Sequence, residues 1–204
     1  MPSVLDGAVG ERLELADYYA DFEKHFWHSA GPGFWKLERQ QTFKEPGYDS
    51  WEAFARGDWA EALRLLEADR ADMAEYHRRI ARHGFTARRV RVVEKPLSAY
   101  MQWELHALRI RDECGGPTRV LTADQVTRFE DTGPLPEIYT LGAQVMYEAV
   151  YDDRGVLESA RKFTDPHLIA RGQRFIKSLY DTGQPLTPWF DTHVAPLPPP
   201  GAQP

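Results

Sequence analysis

The chain has 204 residues, 25 Lys and Arg against 31 Asp and Glu, one cysteine and six tryptophans, a size that suits one domain with additions. Its 42% apolar content excludes wholesale disorder, and the lone Cys114 excludes both an intramolecular disulfide and a Cys-based zinc cluster. No run approaches the ~18 uncharged apolar residues of a membrane span, and the acidic start MPSVLDGAVGERLE has no apolar leader core, so a soluble, cytoplasmic protein is expected.

Residues 11–29 place Leu15, Tyr18, Tyr19, Phe22 and Phe26 at spacings of three and four, which predicts an amphipathic helix ended by Gly31-Pro32-Gly33. FWKLERQQTF (34–43) reads as a strand with Phe34, Lys36 and Glu38 on one face and Trp35, Leu37 and Arg39 on the other. A short helix is expected over 49–55. From 59 to 82 one long helix is predicted: Asp58 and Glu61 form a capping-box-like start, and Trp59, Ala62, Leu63, Leu66, Met73, Tyr76 and Ile80 hold one face. Gly84 stops it.

Residues 86–95 predict a strand with Val90 and Val92 on one side and Arg89, Arg91 and Val93 on the other. A helix over 97–113 aligns Leu97, Tyr100, Met101, Glu104, Leu105 and Leu108 before Cys114-Gly115-Gly116-Pro117 breaks it. RVLT (119–122) is a short strand followed by one or two helical turns. Strands over 137–143, 145–152 and 156–163 follow, the last two joined by the turn residues DDRG. Asp165-Pro166 starts a final helix to 181. The last twenty residues hold seven of the fifteen prolines and read as an extended or disordered tail.

The expected architecture is α+β: a single domain with a largely antiparallel sheet of 4–6 strands, packed by the 59–82 helix and two or three further helices. Its parts are an N-terminal helical extension (1–30), a core domain (31–183) and a proline-rich tail (184–204).

Charge is unevenly spread. Between Arg78 and Lys95 there are seven basic residues and one acid, Glu94, leaving 18 basic and 30 acidic residues elsewhere. An acidic body with one basic stripe does not have the broad footprint of a nucleic-acid coat, so direct nucleic-acid binding is not expected; one small anionic ligand or an acidic partner surface suits it better. Most charge runs are simply solvated faces.

Glu104 is the most informative residue. It lies on the apolar stripe of its helix, where a carboxylate is costly unless paired, and Arg89 and Arg91 share one face of the preceding strand. Either a buried ion pair fixes the strand–helix register, or Glu104, Tyr100 and the arginines meet a ligand. The seven histidines show no HExxH or HxH spacing, so no metal site and no cofactor are expected. Phosphate-cradling glycine loops and the G-x-S-x-G elbow are absent as well.

The segment RVRVVEKPLSAYMQWEL (89–105) resembles an actinobacterial family, common in streptomycetes, that is catalogued as a domain of unknown function and often encoded beside helix-turn-helix regulators. The resemblance is carried by Trp35-Lys36-Leu37-Glu38, Arg89 to Val93, Pro96-Leu97, Tyr100, Trp103-Glu104-Leu105, and Tyr151-Asp152 before Gly155. It spans about 33–182. Where the family shows a segment ending in Leu-Phe-Asp, this chain has Glu137-Ile138-Tyr139-Thr140-Leu141. The resemblance implies that Glu38, Arg89, Arg91, Tyr100, Glu104 and Asp152 converge if a site exists.

The leading expectation is a non-enzymatic binding or regulatory module acting through a protein partner such as a helix-turn-helix regulator. The alternative is an enzyme in which Glu38 and Glu104 supply acid–base chemistry and Arg89, Arg91, Tyr100 and Asp152 hold an anionic substrate. That enzyme would be a nuclease or phosphoryl transferase; a third possibility is a pathway-specific protein of natural-product biosynthesis.

Overall fold

A computed structural model describes residues 4–201. It contains β1 (Glu11–Glu14), α1 (Leu15–Phe26), β2 (Phe34–Glu38), α2 (Asp49–Ala55), α3 (Trp59–Ala68), α4 (Arg70–Arg82), β3 (Ala87–Val93), α5 (Ala99–Glu113) and β4 (Thr118–Thr122). The chain continues through α6 (Ala123–Val126), a 3-10 turn (Thr127–Phe129), β5 (Ile138–Leu141), β6 (Val145–Tyr151), β7 (Leu157–Phe163), α7 (Pro166–Thr182), β8 (Gln184–Pro185) and α8 (Leu186–His193). No helix among the described residues is long and apolar enough to cross a membrane.

The fold is α+β, but the sheet is larger than expected and mixed. Eight strands run in the order β1-β7-β6-β5-β2-β3-β4-β8. β2 pairs with β3 and β3 with β4 in parallel, and the remaining pairs are antiparallel. Parallel neighbours need a crossover. Here α2–α4 bridge β2 to β3 and α5 bridges β3 to β4. Three helices separate β2 from β3, which hides a βαβ unit from a search for regular strand–helix alternation.

The predicted 59–82 helix is divided at Asp69, whose ψ of −6° ends α3 and starts α4. The apolar stripe explains the bend. Between Leu66 and Met73 the positions that should continue it hold Asp69 and Arg70, so each half packs separately against α5. The strand predicted to reach 43 ends at Glu38. The helix read over 11–29 starts only at Leu15, because residues 11–14 pair antiparallel with β7. The N-terminal segment is therefore an edge of the sheet and not an appendage.

Helices cover both sheet faces. On one, α7 packs Leu168, Ile169, Ile176 and Leu179 onto Leu37, Val90, Val92, Ile138 and Met146; Asp165 caps it by accepting from Leu168 N at 2.7 Å. On the other, α1 lays Tyr18, Phe22 and Phe26 against Phe34, Tyr139 and Tyr147, while α5 covers β3 and β4 through Met101, Leu105 and Leu108.

The tail expectation is corrected for residues 184–193. Leu186, Trp189, Phe190 and Val194 form an amphipathic stripe buried against Val93, Met101 and Val120, and Pro188 falls in the first turn, where its missing N–H costs nothing. Proline content masked that stripe. Phe190→Ala is expected to cost about 3–5 kcal/mol in a urea melt; a loss below about 1 kcal/mol would mean that α8 is a loosely held appendage.

Candidate functional site

Beside β2 and β3 the sheet carries a row of charges. The parallel register sets Lys36 opposite Arg89 and Glu38 opposite Arg91, and alternation along each strand turns all four to the face covered by α5. Tyr100, Glu104, Ala107 and Arg111 recur along α5 at helical spacing and meet that row. Between them lies a cavity of about 940 Å3, closed on a third side by the loop after β2 and by α3–α4.

The charges divide into a pair whose arginine is sealed and an open cluster. Arg91 is fully buried. Its Nε donates to Glu104 Oε2 at 2.8 Å, Nη2 to the carbonyl of Gln40 at 2.6 Å, and Nη1 to the carbonyls of Glu38 and Val92 at 3.3 and 3.1 Å. Burial alone would lower the Arg91 pKa, but Glu104, Glu38 and Glu137 more than offset it and hold the guanidinium charged. Arg91 does not reach the cavity; Glu104, on its other side, does.

Glu38 joins the open cluster. Lys36 Nζ sits 2.5 Å from its Oε1, and Arg89 Nη1 pairs with its Oε2. Burial raises the Glu38 carboxyl, yet Arg89, Lys36 and Arg91 outweigh that and hold it below the ordinary carboxylate range. Burial instead pushes Glu104 up to about 7 despite Arg91, with the Glu38 charge adding to the rise. Two carboxylates of one site thus differ in protonation because one has two cations to itself and the other shares a buried one.

Arg111 differs from its neighbours. Its side chain makes no hydrogen bond or ion pair among the described residues, and burial, with Arg89 nearby, lowers it to about 10. It is still cationic at neutral pH. Tyr100 donates its hydroxyl to Glu45 Oε1 at 2.7 Å, fixing the loop after β2, and burial raises the Glu45 carboxyl. Trp103 donates from Nε1 to Ser50 Oγ at 2.9 Å, and Ser50 donates to the Ala62 carbonyl at 2.8 Å. These bonds lock α5 to α2 and α3.

A second chamber of about 210 Å3 lies beside the first, between α1 and the sheet, and shares part of its wall. Aromatic rings line it, among them Tyr18, Phe22, Phe34 and Tyr139. Lys36, Arg89 and Arg111 line both spaces.

Of the residues singled out in the sequence, Glu38, Arg89, Tyr100 and Glu104 line the cavity and Arg91 lies behind its wall. Asp152 sits on the β6–β7 turn, where it accepts from Arg154 N and Val156 N at 2.9 Å each and pairs with the Arg154 guanidinium at 2.8 Å. It is not brought to the cavity. Lys36, Glu45 and Arg111 escaped the sequence reading. Lys36 shares a strand face with Glu38, and Arg111 falls seven residues after Glu104 on the same helix, so continuing either pattern by one step would have found them. Among the described residues no group of three or more His, Cys, Asp or Glu is placed to hold a metal ion.

A family model described as "Domain of unknown function (DUF6879)" matches residues 20–191. That span takes in parts of α1 and α8 that the motif resemblance leaves outside. The chain matches no curated protein and no solved structure.

Proposed function

We infer that this chain, which belongs to the DUF6879 family of domains of unknown function, is a non-enzymatic binding module that takes a small anionic ligand in the cavity between α5 and the sheet. One observation carries this reading: Arg111 faces the cavity beside Lys36 and Arg89 with no side-chain partner of its own among the described residues. A part-buried guanidinium is desolvated at a cost that a bound anion would offset.

The experiment is thermal unfolding in inorganic phosphate against chloride of equal ionic strength. Phosphate is expected to stabilise the protein, by about 2.7 kcal/mol at a hundred times its Kd. Arg111→Met is expected to remove most of that gain. Equal melting in both salts, or an unchanged gain in Arg111→Met, would overturn the reading.

The regulatory part of the proposal is that a protein partner, a helix-turn-helix regulator, reads the occupied state. Its support is the gene neighbourhood that the motif resemblance implies. Co-expression with the regulator encoded nearest its gene should yield a complex; two separable proteins would remove this part alone.

One observation favours a second, enzymatic reading: Glu104 reaches the cavity with its carboxyl held near 7, a value suited to proton transfer at neutral pH. Glu38, held ionised by two cations, suits electrostatic positioning better than acid–base work. In this reading Glu104→Gln keeps phosphate binding and removes turnover.

A further inference from the structure

The shape of the two chambers and the placing of charge between them specify more than a generic anion. The charged residues common to both are Lys36, Arg89 and Arg111, all cations, and Glu38 is the carboxylate bonded into that cluster. Three positive charges against one negative leave room for a further two negative charges at the junction. A phosphate monoester carries about −1.5 to −2 at pH 7 and presents three acceptor oxygens to such donors. A carboxylate would leave one cation uncompensated.

The smaller chamber then decides what is esterified. Its space of about 210 Å3 is bounded by rings, by Ala87, Ala149 and Leu157, and by the three shared cations, with no acid in its wall among the described residues. Tyr18 and Tyr139 satisfy each other through a 2.6 Å hydroxyl–hydroxyl bond, so their polar ends are already occupied. Tyr76 and Tyr151 add their rings to the wall, which offers ring faces and edges with its cations gathered on the side shared with the larger chamber. An aromatic group gains there from apolar burial and from edge-to-face contacts with the many rings, a gain that a sugar or polyol, which gives up hydrogen bonds to water on entering, does not match. In the larger chamber Asp69, Asp72 and Glu45 stand in the wall. Those carboxylates disfavour a second anionic group, which fits a ligand with its charge concentrated at one point.

We propose that the ligand is an aromatic phosphate monoester, its phosphate held by Lys36, Arg89 and Arg111 and its ring seated in the smaller chamber among Tyr18, Phe22, Phe34 and Tyr139. This rests on the anion-binding reading above, and adds the aromatic ring and the dianionic charge.

Calorimetric titration of the whole chain with phenyl phosphate, methyl phosphate and benzoate tests it. Phenyl phosphate is expected to bind at least tenfold more tightly than methyl phosphate, and benzoate at least tenfold more weakly than phenyl phosphate. Ala149→Leu, which fills the smaller chamber, should reduce phenyl phosphate to the affinity of methyl phosphate while leaving methyl phosphate unchanged. Ala87→Leu is a second filling variant if the first does not fold. Arg111→Met should abolish binding of both esters.

Equal affinity for the two esters would overturn the aromatic assignment and leave the anion site standing. Benzoate binding as well as phenyl phosphate would overturn the dianion assignment. No binding of any of the three, with no effect of inorganic phosphate on melting, would remove this inference together with the reading beneath it.

Discussion

Arg91→Met is expected to destabilise the fold by about 3–5 kcal/mol, the usual consequence of stripping one partner from a buried ion pair. The loss has two sources. Glu104, 6% exposed, loses the cation that holds its carboxyl down and must take up a proton to stay buried, and the carbonyls of Glu38, Gln40 and Val92 lose the donors that Arg91 extends to them. The first is relieved by removing Glu104 too. The double variant Arg91→Met/Glu104→Leu should therefore recover part of the stability, with an interaction energy of about 1–3 kcal/mol in a double-mutant cycle. The carbonyls keep recovery incomplete. Urea denaturation at pH 7 measures all four corners, and additivity of the two single changes would show that the pair does not couple the strand to the helix.

The second large effect concerns acid. His77 and His106 are each lowered to about 4, chiefly by burial, with Arg111 and Arg89 adding for His77 and Arg109 for His106. Both ring nitrogens of His77 lack a hydrogen-bond partner and the residue is 4% exposed. Each imidazole binds a proton near 6.5 when unfolded and near 4 when folded, so between these values the unfolded chain holds more protons. Stability from each is full above 6.5, declines as pH falls, and is gone below 4. The His77 contribution is about 2–3 kcal/mol and that of the part-exposed His106 smaller. Glu104 works in the opposite sense: its folded pKa near 7 exceeds the usual 4.5, so its contribution is full below 4.5 and lost as pH rises through 7. Burial raises Glu45 and Glu137 as well, so three carboxylates oppose the histidines, and the His77 part, a fall in stability from pH 6.5 to 4, is isolated by comparing the wild type with His77→Leu. His77→Leu should flatten that fall by about one proton. An unchanged slope would mean that His77 takes up its proton without leaving the core.

Much of the site is legible in the amino-acid sequence. Alternation on β3 sets Arg89 and Arg91 on one face, and helical spacing sets Tyr100 and Glu104 on one stripe. What neither pattern contains is depth. Arg91 is sealed and Arg89 is open because the loop after β2 closes over one and not over the other, and that loop is held by distant partners: Glu137 accepts from Arg39 N and Gln40 N at 2.7 and 2.6 Å, and Glu45 accepts from Tyr100. Contacts across such separations leave no local periodicity. The same cause hid the parallel pairing of β2 with β3, whose partners are joined through three helices. Element types survived better than their limits, since Asp58, Ser98 and Asp165 cap their helices by side-chain bonds that short sequence windows already contain.

The two ends of the sheet bear on how this protein meets others. At one margin β1 is four residues long and reads Glu-Arg-Leu-Glu; at the other β8 is two residues long and contains Pro185. A charged, short strand is a poor template for a further chain, and proline withdraws a donor from the rim. Beside β8, α8 packs on β4 and shields what remains of that side. Strand addition is thereby discouraged at both extremities, protecting an eight-stranded sheet from growing into its neighbours. A partner docking on the helical surfaces instead would read side-chain shape and charge, not backbone.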